Sequence, residues 1–167
     1  MSSFVECVWA ESSSRSTRAL SSTDHQFVPR MNHRVGSELA SFVLRDDEQL
    51  VLTWRNSIWG LDVTEAFVAK SGLIIQTEVT FAQPDRSPPP RVTPQDVVGL
   101  YHTGGAFSAK RLARPLQQVV YRVGEIGKPK MRVRDRVIEF KLLVGFGGRV
   151  VLTTNTPRVY EIVSAIL

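Results

Sequence analysis

Apolar and polar residues alternate over several short stretches of this chain, and each stretch is bounded by turn residues. In Gln49–Trp54, Leu50, Leu52 and Trp54 share one face while Val51 and Thr53 share the other. That is the period of a strand. Glu65–Lys70 reads as a second strand, and Lys70–Gly72 as a tight turn. Leu73–Phe81 is the cleanest strand of the first half. Leu73, Ile75, Val79 and Phe81 are expected on one face, with Gln76, Glu78 and Thr80 on the other. Five of the nine prolines then fall between Pro84 and Pro94, which makes that stretch a loop or an edge. Strands are predicted through Val97, Val98 and Leu100, over Gln117–Gly124, and from Val137 to Gly147 with Ile138, Phe140, Leu142 and Val144 on one face. Arg149–Thr154 is predicted as the hairpin partner of the last of these.

Three segments follow the helical period instead. Ser37 is placed to cap a short helix over Glu38–Leu44, with Leu39, Phe42 and Val43 at i, i+3 and i+4. Ala106–Leu116 carries Ala109, Leu112, Ala113 and Leu116 on one stripe, with Pro115 limiting its length. The closing segment has Thr156 as N-cap, Pro157 at the first helical position, and Val159, Ile162, Val163 and Ile166 as one apolar stripe. Such a helix is too short to stand alone in water. It is expected to pack on Phe140, Leu142 and Leu152, so deletion of the last ten residues is expected to unfold the protein.

About seven antiparallel strands and a C-terminal amphipathic helix predict a mainly β (α+β) fold. The expected form is a strongly bent sheet or partial barrel whose open end the helix caps. The stretches "RDDEQLVLTW", "VTEAFVAKSGLIIQTEVTF", "RVTPQDVVGL" and "RVIEFKLLVGFGGRVVLTTNTPRVYEIVSAIL" carry this plan. In them the chain resembles the pleckstrin-homology-like superfold, bacterial members in particular, over roughly residues 42–167. The resemblance places a domain at 37–167, with insertions near 84–94 and 104–136. Residues 1–36 hold eight serines and read as a Ser-rich extension expected to be poorly ordered.

The totals add limits. A length of 167 residues suits one domain, and 43% apolar with 22% charged residues is ordinary for a soluble globular chain. The opening "MSSFVECVWAESSS" lacks a basic region followed by a long apolar core, so no secretory signal is expected. With Cys7 as the single cysteine, no internal disulfide forms. Both features favour a cytoplasmic setting.

Net charge is +5, and residues 110–136 hold nine Lys or Arg against Glu125 and Asp135. Lys128, Lys130, Arg132, Arg134 and Arg136 form the densest part, a candidate anion-binding stripe if they extend along a strand. Only Tyr121 lies near enough to interleave, so stacking of single-stranded bases is not supported. The loop between the first two strands offers Ile58, Trp59 and Leu61 as a candidate contact patch; the competing assignment puts Trp54 and Trp59 in the core. It has Arg55 but no Lys/Arg cluster, which departs from the lipid-binding pattern of pleckstrin-homology domains.

Catalytic signals are thin. His25, His33 and His102 show no metal-ligand spacing, and Cys7 lies in the extension. His102 has Asp96 as its nearest carboxylate orienter in sequence. Gly145–Gly148 lacks the Lys-Ser/Thr of a phosphate loop and leads into a strand, so it reads as a hairpin turn. The expected function is therefore a non-enzymatic binding module working through protein–protein contacts, as an adaptor, immunity or assembly component. No cofactor and no metal are implied. The alternatives are a basic nucleic-acid-binding protein, or small nuclease using His102, and a peripheral binder of anionic membranes. Self-association is also compatible with free sheet edges.

Overall fold

The computed structural model of the protein describes residues 35–156 and 159–165. Two antiparallel sheets share one core, and neither closes on itself. The first runs β1 (Val35–Val43), β10 (Val159–Ala165), β9 (Arg149–Thr156), β6 (Gln118–Arg122). The second runs β5 (Phe107–Leu116), β4 (Leu73–Ala82), β3 (Asp62–Lys70), β2 (Gln49–Arg55), β7 (Lys130–Val133), β8 (Arg136–Glu139). Two short helices, α1 (Val97–Thr103) and α2 (Phe140–Val144), complete the elements. The core joins Phe42, Val119, Val150, Leu152 and Ile162 of the first sheet to Leu50, Leu52, Phe67, Ile74 and Phe81 of the second. Tyr160 ties the layers directly, its hydroxyl donating to the Leu73 carbonyl at 3.2 Å.

The meander β2–β3–β4 matches the alternation pattern. Leu50, Leu52 and Trp54 are buried. At the β3–β4 turn both Ser71 and Gly72 have positive φ, 50° and 77°. That is the twist a two-residue hairpin needs. Within β4 the expected face is wrong at one end. Ala66 pairs with Glu78 but Phe67 pairs with Gln76, so Thr77 is an extra residue on β4. A bulge of this kind switches which residues face the core. Below it Ile74 and Gln76 are buried; above it Val79 and Phe81 are. Leu73 is exposed, and Gln76, assigned to the polar face, is inside.

The helical expectations fail, each for a reason of pairing. Residues 35–43 form β1 against β10. Residues 107–116 form β5 against β4, with Pro115 tolerated because β5 is an edge. The closing segment is strand β10, not a capping helix, and it is bonded to β1 on one side and β9 on the other. Ile162 and Val163 are adjacent and both buried. A strand covered on both faces shows no clean period of two, and its apolar positions then imitate a helical stripe. Conversely, the strand expected through Val97 to Leu100 is α1. The long strand expected from Val137 is a four-residue β8 followed by α2. β9 pairs with β6 and β10, so it is not the hairpin partner of residues 137–147. Among the described residues there are ten strands where about seven were expected.

Candidate functional site

The β7–β8 hairpin turns through Arg134 and Asp135, with Arg134 at φ 54°. Val133 and Arg136 close this two-residue turn as a hydrogen-bonded pair, and such pairs alternate along an antiparallel ladder. Met131↔Ile138 is therefore the next bonded pair, while Arg132↔Val137 and Lys130↔Glu139 are not. The Phe140 amide continues the alternation by donating to the Pro129 carbonyl at 3.0 Å. It follows that the backbone N–H and C=O groups of Val137 and Glu139 point away from β7, toward the free edge.

At the end of β8, Phe140 enters the core, fully buried with its ring 6.2 Å from that of Tyr121. This anchors α2. Gly145, at φ 71°, ends the helix after little more than a turn. Val144 packs back against the core, but the other apolar residues that follow the anchor are left outside. Leu142 is 81% exposed, Phe146 60% and Leu143 43%. Val137 on β8 is also exposed. Lys141 Nζ meets Glu125 Oε1 at 2.9 Å, and the Val123 backbone bonds to Gly147 and Gly148. Ile126, next to Glu125 in the chain, is exposed as well. The result is an apolar ridge around α2, where the sequence pattern had placed Leu142 inside.

The five cations of the predicted stripe do not share one strand face, because the chain reverses between Arg132 and Arg136. Lys128 is exposed in the loop before β7. Lys130 pairs with Glu139 at 2.9 Å. Arg132 points outward, opposite Val137. Arg134 turns back onto β1 and the loop after it: its guanidinium donates to both Glu48 oxygens, the Nη2–Oε2 bond being 2.9 Å, and to the Val43 carbonyl at 3.0 Å. Arg136 lies beyond the turn, exposed. Among the described residues, Lys128, Arg132 and Arg136 enter no ion pair.

The Arg134 guanidinium, together with the Arg45 amide, holds the Glu48 carboxyl down at about 2, from an ordinary value of 4.5. A depressed carboxylate contributes stability that is full above its unfolded value and lost as pH falls through the folded one. Glu48→Gln is therefore expected to flatten the acid limb of the stability curve from about pH 5 to about pH 2. Urea midpoints across that range, wild type against variant, provide the check.

The predicted contact loop divides. Asn56 Oδ1 accepts from the Ile58 and Trp59 amides at 2.9 and 3.0 Å, folding the loop tightly. Ile58 is 56% exposed, but Leu61 is buried and Trp59 packs half-buried against the core. Trp59 lies so close over Gly104, at φ 79°, that a Cβ there would fall within the indole. Ile58, Trp59 and Leu61 do not form one exposed patch, and Trp54 is core.

One site was not singled out from the sequence. Glu65, on β3, is completely buried. Its Oε1 accepts from the Tyr101 hydroxyl at 3.0 Å and from Gln76 Nε2 at 3.1 Å. Its Oε2 accepts from the Tyr121 hydroxyl at 3.0 Å and from Trp54 Nε1 at 3.2 Å. The donors come from α1, β4, β6 and β2, so the carboxyl cross-links both sheets and a helix. Burial pushes its pKa up, against the four donors that pull it down. Gln76 Oε1 is buried there without a hydrogen-bond partner. A signal existed: in Val63–Glu65–Phe67–Ala69 the glutamate occupies an inward phase of the alternation. Its oxygens are saturated by the protein's own donors.

His102 is exposed on the last turn of α1. Its proposed orienter Asp96 instead accepts from Thr93 Oγ1 at 2.6 Å. His25, His33 and Cys7 lie outside the described residues. No family model matches the chain, and no curated protein or solved structure is similar to it. Among the described residues, no helix is long and apolar enough to cross a membrane.

Proposed function

We propose that the chain is a non-enzymatic binding module that works through protein–protein contacts, in an adaptor, immunity or assembly role. The observation that carries this reading is the exposure of Val137, Leu142, Leu143 and Phe146, while Phe140 is buried and Ile138 and Val144 pack against the core. Adjacent exposed side chains of this size mark contact surfaces, since burying each is worth roughly 1.5–3 kcal/mol. Lys130, Arg134 and Lys141 are tied up in ion pairs, which leaves less free positive charge for phosphates than the sequence suggests.

The test is capture from native lysate with the wild-type chain and with Leu142→Asp/Phe146→Asp, under nuclease and at low and high salt. A protein retained through nuclease and salt, and lost with the double variant, is the expected result. Material lost with nuclease and unaffected by the variant would move the reading to nucleic acid. Sedimentation with anionic vesicles that depends on the same two residues would move it to a membrane surface.

A further inference from the structure

We propose that β8 is a docking edge to which a partner adds an extended segment as a new antiparallel strand, acidic residues alternating with apolar ones. This rests on the protein-contact reading and names the surface and the partner chemistry. Among the described residues four strands lie at sheet edges, β1 and β6 in one sheet and β5 and β8 in the other, and residues 90–92 already bond to β5 at Ser108. They are not equivalent. β5 carries Lys110, Arg111, Arg114 and Pro115, has Arg111 at φ 58°, and loses register between Gln76 and Glu78. Charge, proline and irregularity are the devices that keep an edge from pairing. β1 also shifts register twice, between Val35 and Ala40. Like β6, β8 has no proline and no register shift along its ladder, and of the two it is β8 that runs on into the exposed Leu142 and Leu143. Val137, at its centre, is 57% exposed.

The geometry supplies both halves of strand recognition. Val137 and Glu139 direct their backbone donors and acceptors outward, as derived above, and such groups give an added strand its main-chain bonds. The ridge of Leu142, Leu143 and Phe146 begins directly beyond the strand and offers apolar anchorage. The charge around the edge selects the partner. Glu139 and Glu125 are already neutralised by Lys130 and Lys141. Arg132 and Arg136 flank Val137 in register and in sequence without an ion pair among the described residues; Asp135, in the turn between them, is an exposed acid. A segment with acidic side chains meets this excess, whereas a basic one is repelled.

The probe is a short acetylated synthetic peptide of alternating valine and glutamate, with a valine–lysine peptide of equal length as control. Binding to the full chain is followed by fluorescence anisotropy, and amide exchange at Val137 and Glu139 by NMR. The key variant is Val137→Pro. It removes an outward N–H but no bond to β7, the position where an edge tolerates proline.

Expected are binding of the glutamate peptide that weakens with salt, new protection at Val137 and Glu139, and a loss of about tenfold or more in affinity with Val137→Pro. The valine–lysine peptide is expected not to bind the wild type and to be preferred by Arg132→Glu/Arg136→Glu. No binding of the glutamate peptide, equal binding of both peptides, or binding without protection of the two amides would overturn the proposal. The amide readout is made on the wild type, so it stands if the proline variant misfolds. Lysate capture that needs Leu142 and Phe146 but ignores Val137→Pro would sink strand addition and leave the protein-contact reading standing. A chain that captures nothing would sink that reading instead.

Discussion

Glu65→Ala is expected to destabilise the protein by about 4 kcal/mol or more, a large part of the 5–15 kcal/mol typical of a folded domain. The loss does not come from the glutamate's own burial, which is unfavourable. It comes from what the truncation leaves behind: Trp54 Nε1, Gln76 Nε2 and the Tyr101 and Tyr121 hydroxyls all lose the acceptor they share. A buried donor without a partner costs about 1–3 kcal/mol. Gln76 Nε2 keeps the Tyr101 hydroxyl as an acceptor at 3.4 Å, and the donors of one cluster do not relax independently. Urea denaturation checks the magnitude. The contrast is Glu78→Ala on β4, where the partner Lys110 lies 3.5 Å away and both side chains are well exposed. That pair is expected to be worth under about 1 kcal/mol.

The same residue gives a pH signature of definite sign. Burial, the dominant cause, raises the Glu65 pKa above its ordinary 4.5. A carboxyl raised on folding binds its proton more tightly in the native state. Its contribution to stability is full below the unfolded value and is lost as pH rises through the folded one. Glu65→Gln keeps one oxygen acceptor and cannot ionise. The variant is therefore expected to lack the decline in stability with rising pH that begins near 4.5 in the wild type. A wild type and Glu65→Gln pair with parallel pH profiles would contradict this sign.

The parts of this fold that sequence made legible share a physical property: one face wet and one face dry. β2 and β3 alternate because one side meets the core and the other water, and the Ser71–Gly72 turn carries the backbone chemistry of a tight hairpin. Legibility fails wherever tertiary pairing overrides local pattern. Thr77 adds one residue to β4 and reverses the faces below it, which no periodicity contains. Phe140 ends a strand because its side chain turns into the core, and that single event puts Leu142 outside. Of the candidate residues, the five cations lie close together in sequence. They share no common strand face, because Arg134 and Asp135 form a turn rather than strand. The pleckstrin-homology-like resemblance leaned most on a closing helix, and those residues form β10. Glu65 was readable in principle as a charged residue in an inward phase, but only with its partners in view does it become a cross-link.

Ile162→Pro is expected to unfold the protein or to cost roughly 4–6 kcal/mol, because β10 is the one strand that joins β1 to β9. Ile162 lies opposite Ala40 on β1 and Leu152 on β9, and it is completely buried. Its amide is committed to one neighbour or the other, so proline leaves a buried carbonyl without its donor whichever side it faces. The change also removes a core side chain, a loss of about 2–5 kcal/mol for truncations of this kind. Proline at Val137 changes the same backbone atom on an edge, where the N–H faces outward and the valine is already exposed. That variant is expected to keep within about 1 kcal/mol of wild type. Matched urea titrations of the two variants therefore measure the topology itself. A helix over these residues would put Ile162 in its second turn and leave β1 without a partner. In that arrangement Ala40 and Ile162 would have no reason to couple. Cysteines placed at Ser41 and Glu161, directly opposite across β1 and β10, are expected to cross-link under mild oxidation, and failure to do so in a folded protein would contradict the central position of β10.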